Sequence, residues 1–363
     1  MGMTEFGVNH DLAVKRWSKA LAYEAAKMQY FSKFMGKGQD SLIIVRDELH
    51  KAAGDKVTVG LRMKLSDPGV EGDNVIQGHA QGEESLQFFS DALLIDQLRK
   101  GTKSKGKMSE QRVPYNIRAQ GRDALAIWWA EEMDEQMFYY LSGARGAITA
   151  SFHNPTTWTG RAGNSLQAPD SDHIFYAGNA TGKADLDSSD IIDLIDIERF
   201  VAKAETIDPM IQPFEVEGEK KFVCLMHTFQ AFQLRTATSD NDWLAIQKAT
   251  GSGMGAKAPI YRNAMGEFAD VILHKHRNVV RFDDYGAGSD VAAARALFLG
   301  AQAGMIAYGQ DSGPSRYKWN EEFDDRGNAL AITAGTIFGI KKSRYNSKDF
   351  GVMAFDSYCP VPS

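Results

Sequence analysis

His274 and His276 lie two residues apart, so on a β-strand both imidazoles would point to one face, where a pair could hold a metal ion. No third ligand can be identified, and Lys275 and Arg277 make the stretch basic, so the pattern predicts two solvated histidines. His227 follows Cys224 by three residues with no second such pair, which predicts core or near-core residues. Asp185, Asp187, Asp190, Asp193 and Asp196 crowd one segment. A calcium loop of the EF-hand type needs a glycine at its sixth position and a closing glutamate, and neither falls in place. The predicted role is helix capping and favourable charge at a helix N-terminus. Gly251, Gly253 and Gly255 with Lys257 approach a phosphate loop, but that loop needs Gly-Lys followed by Ser or Thr, and Ala256 and Ala258 intervene. Ser142-Gly143-Ala144-Arg145-Gly146 lacks the Gly-x-Ser-x-Gly order and follows a helical pattern rather than a strand. Glu131, Glu132, Asp134 and Glu135 are too evenly spread to single out an acid/base pair and read as an exposed helix face. No catalytic, cofactor-binding or metal-ligating residue is assigned, and the chain is read as a structural protein rather than an enzyme.

The elements carry more information than the motifs. Val57, Val59, Leu61, Met63 and Leu65 alternate with Thr58, Gly60, Arg62 and Lys64, which predicts a long strand with one apolar face. Ser66 to Gly82 is rich in glycine and reads as a loop, and an apolar segment returns from Leu86 to Leu98. Together they predict a protruding, hairpin-like extended loop that can hardly bury both faces within one subunit. A basic stretch follows with Arg99, Lys100, Lys103, Lys105 and Lys107. The segment from about Ser109 to Gly143 reads as one long spine helix. Pro114 suits its start and Gly143 its left-handed end, an interval that spans about 42 Å at 1.5 Å per residue. Ala119, Ala126, Trp129, Ala130, Met133, Met137, Tyr140 and Leu141 form one face. Trp128 lies among the opposite glutamates, so that second face is expected to meet another layer or a neighbouring subunit.

Asp11 to Met35 reads as an amphipathic helix, either a mobile arm or an ordinary helix packed on its own domain. Residues from Gly146 to Gly182 read as a long loop or insertion, followed by a helix that starts at Asp187 or Ser188 and closes before Asp208-Pro209. Strands are expected at Phe222–Met226, Ala269–Leu273 and Val279–Phe282, helices at Thr228–Leu234 and Asp242–Ala249, and apolar segments over Ala296–Ala307, Asn328–Lys341 and Phe350–Tyr358. With 363 residues, 43% of them hydrophobic, a sizeable core is possible. A net charge of −6, from 41 basic and 47 acidic residues, argues against a dedicated nucleic-acid binder. Two cysteines cannot build a disulfide framework, and neither a secretory leader nor a membrane-spanning run is expected.

The runs Gln111-Arg112-Val113-Pro114-Tyr115-Asn116-Ile117-Arg118, Trp129-Ala130-Glu131, Met133-Asp134-Glu135-Gln136-Met137-Phe138 and Leu141-Ser142-Gly143-Ala144-Arg145-Gly146 resemble the major capsid proteins of the N4-like tailed-phage family. Asp349-Phe350-Gly351-Val352-Met353-Ala354-Phe355-Asp356 resembles that family's closing strand. The resemblance implies an α+β, HK97-like capsid fold. Its parts would be an N-terminal arm (1–50), an extended β loop (51–107), a peripheral domain (108–214) with the spine helix at about 114–142, an axial domain (215–313) and closing strands of the peripheral domain (314–363). It implies self-assembly of many copies, as hexamers and pentamers, into an icosahedral shell around double-stranded DNA. The implied partners are the portal, scaffold or decoration proteins, and non-specific contact with packaged DNA, with no membrane and no cofactor. The implied location is the virion capsid, with assembly in the host cytoplasm. Two other readings remain at this stage: a cellular nanocompartment shell of the same fold, and a hydrolase with a metal at His274 and His276.

Overall fold

The computed structural model describes residues 11–48, 54–63, 65, 67–74, 76–77, 82–112, 114–147, 153–216, 218–238, 260, 263–309 and 316–362. Gly251, Gly253, Gly255, Lys257 and the helix expected at 242–249 lie outside them.

The spine helix runs from Ile117 to Ser142, 26 residues. Asn116, not Pro114, starts it: its side chain accepts the N–H of Ala119 at 3.2 Å. The stretch before it forms a separate short helix, Lys107–Gln111. Gly143 ends the spine at φ 69°, where an added Cβ would stand 2.0 Å from the carbonyl oxygen of Gln167, so both conformation and space demand glycine.

The first helix covers Asp11–Met28 and stops short of Met35. Asp134 of the spine is the cause, since its carboxylate accepts the backbone N–H groups of Tyr30 (2.7 Å) and Phe31 (3.1 Å). These bonds start a tight 3-10 turn over Tyr30–Phe34 instead of another α-turn. The helix lies on the subunit's own body, where Trp17 stacks on Trp319 with ring centroids 6.0 Å apart.

Two sheets flank the spine. One has six strands in the order Met35–Gly36, Ile43–Arg46, Gly304–Tyr308, Ala329–Lys342 and Lys318–Asp324, with Asp96–Lys103 also paired to Ala329–Lys342. The other has eight, in the order Ala264–Phe268, Val271–Lys275, Glu219–Met226, Val291–Leu299, Val352–Tyr358 and Ile174–Tyr176. Arg281–Tyr285 adds to Val291–Leu299, and Phe214–Val216 to Glu219–Met226. A continuous core joins both sheets to the first helix and the spine through Leu21, Phe31, Trp129, Val223, Leu297 and Ile340.

The sheets do not follow the expected chain boundaries. Gly304–Tyr308, expected within the axial unit, is a strand of the six-stranded sheet. Residues 314–363, expected as one closing unit, divide: Lys318–Asp324 and Ala329–Lys342 enter the six-stranded sheet, while Val352–Tyr358 pairs along Val291–Leu299 in the eight-stranded one. Ile174–Tyr176 and the helix Leu194–Thr206, expected in the peripheral unit, also join the eight-stranded sheet. Ile197, Phe200 and Ala204 of that helix pack on Phe298, Met353 and Phe355. The helix begins at Leu194 rather than Asp187, because Asp193 and Asp196 form the capping box while Asp187 is spent on a turn with Ser189. Arg99, Lys100 and Lys103 of the basic stretch lie in the strand Asp96–Lys103, and their side chains stay exposed along one edge of Ala329–Lys342.

Candidate functional site

Exposed apolar side chains gather on the hairpin, at Met63, Leu65, Ile76, Leu86 and Phe88. Lys56–Arg62 pairs antiparallel with Phe88–Leu94, in register from Lys56 with Leu94 to Arg62 with Phe88. Its base is anchored: Val57 and Leu93 are buried against Met305 and Ala307. Asn164 holds Leu94 by two bonds, accepting its N–H at 3.0 Å and donating to its carbonyl at 2.7 Å. Tyr140 of the spine donates to the carbonyl of Asn164 at 3.0 Å, so the hairpin base is tied through one residue to the middle of the subunit. Asp91 pairs with Lys341 and accepts the N–H of Arg344. Toward the tip the alternation continues but its cover ends: Met63 is 37% exposed and Leu65 54%, and Phe88, on the opposite face beside Arg62, is 66% exposed. Ile76 and Leu86 are also exposed.

The spine's second face is buried, and this corrects the expectation of an exposed acidic face. Glu132, Asp134 and Glu135 are all at most 6% exposed. Their partners belong to the same chain. Asp134 caps the turn after the first helix, as above. Glu135 accepts the backbone N–H groups of His153 (2.8 Å) and Asn154 (3.0 Å) and the hydroxyl of Tyr139 (2.8 Å). Glu132 accepts from Gln136 (2.6 Å) and Asn154 (3.1 Å). Glu131 alone of the four stays exposed. The segment read as an insertion thus clamps the spine on one side and the hairpin on the other.

His274 and His276 are not solvated. His274 is fully buried, with Nε2 2.9 Å from the carbonyl oxygen of Ile260 and Nδ1 3.3 Å from Lys33 Nζ. His276 lies past the strand end, stacked on Phe138 at 4.9 Å and beside Tyr30 at 4.5 Å. Both rings meet Tyr30, but their polar partners differ: His274 Nε2 lies against the carbonyl of Ile260, while His276 Nδ1 accepts the N–H of Asn278 at 3.1 Å. His276 lines a cleft of about 550 Å³ between the first helix and the spine, with Lys27, Lys33, Asp134, Lys275 and Arg277. Cys224 is buried and His227 nearly so, as their spacing suggested. Ser142 points inward, bonded to the carbonyls of Tyr139 and Ala144.

Burial gives these histidines a common electrostatic property. It lowers the pKa of His274 to about 3, with Lys33 adding to the effect, and those of His276 and His227 to about 4, against 6.5 when free. The unfolded chain therefore binds protons that the folded chain refuses, and stability is full above pH 6.5 and lost on acidification. Asp134 acts oppositely: burial raises its pKa to about 7 from 3.8, so its contribution declines as pH rises from 4 to 7. Three histidines outweigh one aspartate between pH 6.5 and 5, where each unbalanced proton costs up to about 1.4 kcal/mol per pH unit. Urea midpoints should fall across that interval and fall more steeply in Asp134→Asn. A level profile in both proteins would contradict the assignment.

The comparisons with known proteins agree with this architecture. The phage capsid protein family matches residues 5–361. The major capsid protein of Pseudomonas phage KPP25 is 25% identical over 364 residues, covering 93% of each chain. The capsid of Ralstonia phage GP4 is 41% identical, with a TM-score of 0.86 and full coverage of both chains. The capsid of cyanophage Pam1 is 20% identical, shares the fold at a TM-score of 0.72, and is covered over 94% of its length by 93% of this chain. These relatives favour a phage shell over a cellular nanocompartment. The chain belongs to the phage capsid protein family, as a major capsid protein that builds a tailed phage's icosahedral shell.

Proposed function

We propose that the hairpin is the principal assembly device of this subunit, laid over a neighbouring copy in the shell. The observation that carries this is the face of Val57, Val59, Leu61 and Phe89, which is buried at Val57 and Leu93 and loses its cover toward Met63 and Leu65, while Phe88 stands exposed on the other face. A contiguous apolar surface of this kind wants a partner, and a shell supplies one at every subunit contact. Residues 1–50 act as the arm and 51–107 as the extended loop, while the peripheral part (108–214) and the axial part (215–313) exchange elements, Gly304–Tyr308 entering the six-stranded sheet and Ile174–Tyr176 the eight-stranded one. Residues 314–363 close both sheets. Copies gather as hexamers and pentamers, with the portal and any scaffold or decoration proteins as further partners. Assembly takes place in the host cytoplasm, and packaged double-stranded DNA touches the inner wall without sequence preference. A net charge of −6 suits a wall that must not grip phosphate. The subunit carries out no catalysis of its own.

Deleting residues 66–82 tests the central claim. The variant should stay soluble and folded by circular dichroism and yet form no normal shells by electron microscopy. Normal shells from it would show that the loop is not an assembly device.

A further inference from the structure

We infer that Glu132, Glu135 and His153 form a divalent transition-metal site that staples the 153–154 loop to the spine helix. The three residues offer ligand atoms that all lie within 4.8 Å of one another. His153 Nδ1 stands 3.4 Å from Glu132 Oε2 and 3.7 Å from Glu135 Oε2. Two ligands bound at about 2.0–2.1 Å around a tetrahedral ion lie roughly 3.3–3.4 Å apart, so the spacing suits atoms that face a shared ion.

The second observation is the state of Glu132. Its side chain is 4% exposed, and its Oε2 is buried without a hydrogen-bond donor among the described residues. A buried carboxylate oxygen normally has a donor, and leaving it bare is costly. Here the division of labour is clear. Oε1 of each glutamate is held by the fold, from Gln136 and Asn154 on Glu132 and from Tyr139 and Asn154 on Glu135. The Oε2 atoms turn toward the imidazole; that of Glu135 also accepts the N–H of His153. Two buried carboxylates thus share one imidazole. A dication would compensate both charges, where a single proton on His153 compensates one.

The surroundings resemble those of an oriented metal ligand. His153 Nε2 points to Glu131 Oε2 at 3.7 Å, and a metal-bound imidazole usually turns its other nitrogen to such a carboxylate. The His153 side chain is 28% exposed, which gives an ion a route from solvent and leaves a coordination position for water. Glu132 and Glu135 are one turn apart on a rigid helix, so the site is preformed on one side and closed by the loop on the other. Imidazole with two carboxylates favours zinc over magnesium, which prefers all-oxygen shells.

The purified full chain, dialysed against ZnCl₂ and then against metal-free buffer, should retain about one zinc per chain by elemental analysis. Zinc should raise the Tm and a chelator should reverse the rise, while MgCl₂ should do neither. His153→Ala and Glu132→Gln should each lose the zinc and the Tm response; Glu132→Gln keeps an acceptor for Gln136, and His153→Ala alters a partly exposed position, so at least one should fold. No retained zinc with a Tm indifferent to zinc and chelator would overturn the site. So would equal zinc retention in both folded variants, or an equal response to magnesium.

Discussion

Truncating Trp129 to alanine is expected to destabilise the subunit by about 3–5 kcal/mol, the usual range for a buried aromatic. Trp129 is fully buried. Its ring meets Tyr317 at 5.2 Å, Phe338 at 6.3 Å and its neighbour Trp128 at 5.0 Å, so it joins the spine to the six-stranded sheet. The cavity cannot easily collapse. The spine is fixed by the Asn116 cap at one end and by Gly143 against Gln167 at the other. Its middle is held by Asp134 and Glu135, which anchor two loops from the opposite side. Trp128→Ala provides the comparison, since that ring is only half-buried and should cost clearly less. Urea denaturation of the unassembled subunit measures both. Equal losses, or an unchanged midpoint for Trp129→Ala, would place the apolar face elsewhere on the helix.

That apolar face was legible in the sequence because Trp129, Met133, Met137 and Tyr140 repeat at helical spacing and all are buried. The strand Lys56–Arg62 was legible for a similar reason, its period of two being a local property. The fate of the acidic residues was not local. Asp134 finds its donors at Tyr30 and Phe31, and Glu135 at His153 and Asn154. Those donors are backbone N–H groups, which every residue except proline carries, so no side-chain pattern announces them. The histidines misled for a related reason. Lys275 and Arg277 are exposed as their charge suggests, but His274 lies in a strand buried on both faces and faces the carbonyl of Ile260. The split of the closing segment was hidden because Ala329–Lys342 and Val352–Tyr358 are both apolar central strands. Two such strands read alike, and only long-range pairing assigns each to its sheet. The start of the helix at Leu194 was ambiguous among five aspartates, each able to cap, until Asp196 completed the box with Asp193.

The candidate site divides along the same line. The hairpin could be anticipated because an apolar face that repeats along a strand must be covered by something. The Glu132–Glu135–His153 group could not, because a helical pair of glutamates is common on exposed faces and its histidine comes from a loop 18 residues farther on. What distinguishes the pair is burial, and burial there depends on the loop itself.

Removing Arg295 is expected to cost about as much as removing Trp129, by a different route. Asp356 and Arg295 are the central pair of the eight-stranded sheet, 0% and 7% exposed at their side chains. The contact is bidentate: Nε and Nη2 of Arg295 each donate to a carboxylate oxygen at 2.7 Å. Arg295 Nη1 also donates to the carbonyl of Ser142 at 3.0 Å, satisfying the last turn of the spine helix. Tyr285 donates its hydroxyl to Asp356 at 2.7 Å. The group therefore binds three strands of one sheet to the end of the helix that leads to the other. Arg295→Met fills similar space but leaves the Asp356 charge buried without its partner, which costs about 3–5 kcal/mol. Asp356→Leu strands the guanidinium and should cost a comparable amount. The double replacement removes both charges and should lose less than the two single losses combined, since replacing a whole buried pair by apolar groups is often nearly neutral. Denaturant midpoints for the four proteins give the coupling directly. Strict additivity would mean that the two residues stabilise the sheet independently, and that the helix end is held by the backbone alone.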